Sequence, residues 1–125
     1  MQRLPINRKE IENVGNFGVE LELTNVNRQQ LIDTLAVKGI DCQYDGYTHA
    51  VTSHWKLVVD SSIHGAGGVE LVSPILNGMA GMKELREVCI ALHFIDAKVN
   101  NSCGLHVHHQ APWGLTGQRK TNLMK

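Results

Sequence analysis

Charge of one sign is what this chain lacks. Its 125 residues hold 12 Lys and Arg against 12 Asp and Glu, for a formal net charge of zero. A neutral balance gives no electrostatic footing for a nucleic-acid partner. Apolar runs are short, none approaching the roughly 20 residues that a membrane span requires. Cysteine is scarce and odd in number: Cys42, Cys89 and Cys103. Such a count without paired spacing argues against a disulfide framework and favours a reducing, cytoplasmic setting. The first ten residues also lack the apolar centre of a signal peptide. Aromatics are few at 5 %, while the hydrophobic fraction of 42 % is enough for one domain with a core. Histidine is abundant, with seven residues whose charge changes near neutral pH.

Two stretches stand out. Phe17-Gly-Val-Glu-Leu-Glu-Leu-Thr24 and Cys103-Gly-Leu-His-Val-His108 both alternate apolar and ionisable residues. In a strand, residues two apart share a face. Phe17, Val19, Leu21 and Leu23 therefore point one way, with Glu20 and Glu22 opposite. Leu105 and Val107 oppose His106 and His108 in the same manner.

The chain otherwise divides by pattern. Residues 1–16 read as a polar arm and 17–125 as a single domain. Asn25 or Asn27 can cap a helix carrying Leu31, Ile32 and Leu35, ended by Gly39. Ile40 to Tyr44 reads as a short strand. Trp55 to Asp60 alternates, with Trp55, Leu57 and Val59 on one side and Lys56, Val58 and Asp60 on the other. The turn Gly65–Gly68 then predicts a hairpin with Val69 to Ser73, placing Glu70 outward. Asn77-Gly78 and Gly81 are expected to precede a second helix, with Met82, Leu85, Cys89 and Leu92 as its stripe and Val88 and Ile95 beside it. A strand follows from about Gly104 to His109, and Thr116 could cap a last helix. The fold class implied is α+β, an antiparallel or mixed sheet with two helices on one face. The other face would then display Glu20, Glu22, Lys56, Asp60, Glu70, His106 and His108 together.

Glu20 and Glu22 would stand about 6.6 Å apart along their strand. Carboxylates so close raise each other's proton affinity unless a cation intervenes. Oxygen donors of this kind suit Mg²⁺ or Mn²⁺ with phosphates completing the shell, while a solvated acidic face is the plainer alternative. Cys103, His106 and His108 also have a spacing compatible with zinc, lacking a fourth ligand. Asp60-Ser-Ser-Ile63 sets a carboxylate and hydroxyls at a strand end, as a substrate site or as a turn. Gly65–Gly68 is no phosphate loop, since it lacks the Lys-Ser/Thr ending and opens no helix.

Phe17-Gly-Val-Glu-Leu-Glu22, Trp55 through Ile63 with Glu70-Leu-Val-Ser-Pro-Ile75, and Lys98 through His108 together resemble the amidoligases, a family grouped with the glutamine-synthetase-like carboxylate–amine ligases. The resemblance implies an N-terminal half of a glutamine-synthetase-like fold, because family members are usually about twice as long. It implies ATP and a divalent metal, Mg²⁺ or Mn²⁺: a carboxylate is phosphorylated and an amine displaces the phosphate. Glu20, Glu22 and Glu70 match metal-holding positions. His106 and His108 match histidines near metal and phosphates, and Asp60 and Ser62 match a substrate-side pair. Lys56 is the fixed cation expected beside the nucleotide. Implied partners are carboxylate and amine substrates, with a protein or a second copy completing the sheet. The alternative is a non-catalytic binding or inhibitor protein on a shortened ligase fold, such as a phage would encode.

Overall fold

A computed structural model describes residues 15–46, 52–59, 62–110 and 116–119, with side chains omitted for 110 and 116–119. Among the described residues, seven strands and two helices follow in the order β1 (Asn16–Leu23), α1 (Arg28–Val37), β2 (Cys42–Gly46), β3 (Trp55–Val58), β4 (Val69–Val72), β5 (Leu76–Asn77), α2 (Gly78–Phe94), β6 (Leu105–Gln110) and β7 (Thr116–Arg119). The protein is α+β. Its sheet runs β2-β3-β4-β1-β6-β7, with β5 paired to the start of β1. Only β2 and β3 pair in parallel, so the sheet is mixed.

The alternation in β1 becomes the division of the molecule. Phe17, Val19 and Leu23 are buried, and Leu21 packs against the same core. Trp55 and Leu57 from β3, Val69 and Leu71 from β4, and Leu105 and Val107 from β6 join them. Both helices close over this side. Helix α1 contributes Leu31 and Leu35, with Ile32 partly covered, and α2 contributes Val88, Ala91 and Leu92. Asn27 caps α1 by accepting from the Gln30 amide, and Gly39 turns the chain away at φ +76°.

Several boundaries differ from the sequence expectations. The strand β1 takes in Asn16, which the polar arm was expected to include; residues 1–14 lie outside the described residues. The second short strand sits two residues later than expected, at Cys42–Gly46. β3 stops at Val58, so Val59, expected on the core side, is exposed. Gly78 and Gly81 lie inside α2 rather than before it. Gly78 uses φ +52° to start the helix, its amide donating to the Gly15 carbonyl at 3.1 Å.

The stripe of α2 is also turned. Its inner side runs Gly78, Gly81, Leu85, Val88 and Leu92, while Met82 and Cys89 face outward. The cause is close approach: a Cβ at Gly81 would stand 2.8 Å from Leu76 Cβ and 3.2 Å from Phe17 Cε1. Only a glycine lets the helix settle there. Finally, Thr116 starts no helix. Thr116–Arg119 is a strand, antiparallel to β6 with Gln110 opposite Thr116.

Candidate functional site

The register of the sheet decides which polar groups meet. Glu20 lies opposite Val72 on one side and His106 on the other. Glu22 lies opposite Glu70. His108 lies opposite Gly18, one diagonal step from Glu20. Lys56 also lies opposite Val72, so it shares the row of Glu20 at two strands' distance, roughly 10 Å. These six side chains occupy the face turned away from the helices.

Contacts bind this set into a group. Glu20 Oε2 and His108 Nε2 are hydrogen-bonded, although 88 residues separate them. Glu20 also shares a hydrogen bond with Glu70. Burial pushes the Glu20 carboxyl upward, but the bonds from Glu70 and His108 and the charges of His108 and His106 outweigh it. The group is held below the usual carboxylate range. Glu22 stands directly across from Glu70, where like charges repel.

Lys56 is 4 % exposed, an unusual burial for an ammonium. Ser62 is exposed, and Asp60 lies outside the described residues. The structure thus brings Glu20, Glu22, Glu70, His106, His108 and Lys56 to one face. The alternative zinc set does not assemble. Cys103 Sγ is buried and turns to Asn100 Oδ1 at 3.6 Å. Among the described residues, no three His, Cys, Asp or Glu side chains stand in a ready coordination shell. The donor types on this face, three carboxylates and two imidazoles, are those a hard divalent cation takes.

Sequence reasoning missed two features of the surroundings. One is the ring of bonds in the loop before β6. Asn100 Oδ1 accepts from the Ser102 amide at 2.9 Å and its hydroxyl at 2.6 Å, and Asn100 Nδ2 donates to the His64 carbonyl. Ser102 Oγ accepts from the His64 amide at 2.9 Å. Short polar residues beside Gly104 are the only trace of this in the sequence. The other is the pair His54 Nε2 and Asp45 Oδ2 at 2.9 Å, which joins the end of β2 to the start of β3. It lies on different strands from the acidic group.

The class of the fold is thus a mixed α+β sheet with helices on one face and acids and imidazoles on the other. The family described as "Putative amidoligase enzyme" matches residues 14–124, and the chain belongs to it. No curated protein and no solved structure matches the chain.

Proposed function

We propose that this protein is an ATP-dependent carboxylate–amine ligase acting over the even-numbered face of β1, β4 and β6. The observation that carries the reading is the group formed by Glu20, Glu70 and His108, with Glu22 and His106 adjacent. Membership of the amidoligase family supports the same reaction class. On this reading the sheet corresponds to half of a glutamine-synthetase-like fold.

The chemistry runs in two steps. A substrate carboxylate oxygen attacks the γ-phosphorus of ATP, the bond to the bridging oxygen breaks, and ADP leaves. An amine then attacks the acyl carbon, phosphate departs with its electron pair, and the nitrogen gives up a proton to form the amide. Glu20, Glu22 and Glu70 would hold Mg²⁺ or Mn²⁺, whose charge offsets that of the phosphates. Lys56 adds a buried fixed positive charge in the same row. His108 orients Glu20 through their hydrogen bond. On this reading His106, opposite Glu20, takes the amine proton, and Asp60 and Ser62 address the substrate.

Calorimetric titration with Mn²⁺, with and without ATP, tests the reading. We expect binding that ATP strengthens, and a loss of about tenfold or more in the double variant Glu20→Ala/Glu22→Ala. Equal binding by both proteins would overturn it. Conversion of ATP to ADP with mixed carboxylate and amine donors, absent in Glu22→Gln, reads the reaction itself.

A further inference from the structure

Gly104 is buried at the entry to β6, beside the acidic group. Its backbone is outside the left-handed region, so conformation alone does not demand a glycine. Space does. A Cβ at this position would stand 3.0 Å from Glu22 Oε1 and 3.8 Å from His106 Nε2. The missing side chain is the notch that receives the Glu22 carboxylate. The same residue grips Glu22 by its backbone, the Glu22 amide donating to the Gly104 carbonyl at 3.0 Å.

The notch is held in place from behind. The Cys103 amide donates to the Asn100 carbonyl at 3.0 Å, and the Asn100 side chain fastens Ser102 and the His64 loop around it. Backbone at 104 is therefore the rigid partner, and the Glu22 carboxylate, at the end of a flexible side chain, is the one that would yield. An added methyl would displace it by a few tenths of an ångström. That is small for stability, but reactive constellations tolerate only about 0.5 Å.

We infer that Gly104 is a positioning residue, which by having no side chain sets where the Glu22 carboxylate stands relative to His106. The inference rests on the ligase reading for its consequence, since it assigns Glu22 a metal-holding role. It does not need that reading for its geometry.

The test is a cycle of Gly104→Ala, Glu22→Asp and the double variant. The readouts are Mn²⁺ affinity, thermal midpoint and the ¹³C resonance of the residue-22 carboxyl in metal-free protein. Gly104→Ala should keep its midpoint within about 3 °C of the parent. It should shift the Glu22 carboxyl resonance and weaken Mn²⁺ binding by about tenfold. The shorter Asp retracts from the notch, so the same methyl should cost nothing further in the Glu22→Asp background. An equal penalty in both backgrounds, an unmoved carboxyl resonance, or a midpoint loss large enough to make the glycine a demand of the fold would each overturn the inference. If the parent protein bound no Mn²⁺, the ligase reading would fail, and the metal-free resonance would decide the positioning role: a shift upholds it and no shift overturns it.

Discussion

Glu20 is the residue on which most of the site's electrostatics converge. Its carboxyl is held below the ordinary value by His108, His106 and Glu70 despite the opposing effect of burial. A depressed carboxyl favours the folded state above the unfolded-state value, near pH 4.5, and that contribution disappears as the pH falls through the lower folded value. In metal-free buffer, Glu20→Gln should therefore cost on the order of 1 kcal/mol at pH 7 and much less near pH 3. Urea unfolding midpoints at the two pH values measure it; an equal loss at both would show that the Glu20 bonds do not depend on its charge. The cysteines take no part in this chemistry. Burial pushes the Cys42 thiol up to about 12, while Cys103 serves the loop around Asn100.

At the scale of elements, β1 was readable because its period of two is unbroken over eight residues. The phase of β4 and β6 follows from the same rule, which is why the sequence alone gathers Glu20, Glu22, Glu70, His106 and His108 on one face. Helix α2 was harder. Met82 and Cys89 are as apolar as the residues that are buried, and hydrophobicity cannot report that Gly81 is the point of contact. That information lies in the distance to Leu76 and Phe17. Gly81→Ala measures the contact. Alanine is the better helix former by about 1 kcal/mol, yet its methyl would overlap Leu76, so a net loss of about 1–2 kcal/mol is expected. Met82→Ala, on the exposed side, should stay within about 0.5 kcal/mol. Reversal of that order in thermal melts would restore the stripe expected from sequence. The strand β7 was missed because Thr116 and Gly117 are as typical of a cap as of a hairpin; pairing with β6 decided it.

For the molecule as a whole, β1 is the spine. It pairs with β4, β5 and β6, supplies the core with its odd residues and the site with its even ones. Hydrogen exchange should follow that order, with β1 and β4 amides slowest and those of β2 and β7, at the two ends of the sheet order, faster by about tenfold or more. Uniform protection across the sheet would remove β1 from its central place. What the sequence could not convey at this scale was the closure of the loops. The ring linking Asn100, Ser102 and His64 depends on residues more than thirty positions apart, and no local pattern announces it.

The bond between Glu20 and His108 spans 88 residues, and that separation has a temporal side. On a ribosome adding about 5–20 residues per second, the acidic strand emerges on the order of 4–18 s before its imidazole partner. Glu70's strand follows sooner, 50 residues after Glu20, so β4 is available to β1 before the histidine is. The group around Glu20 is therefore completed only when β6 has been made, late in synthesis, whatever order the rest of the sheet folds in.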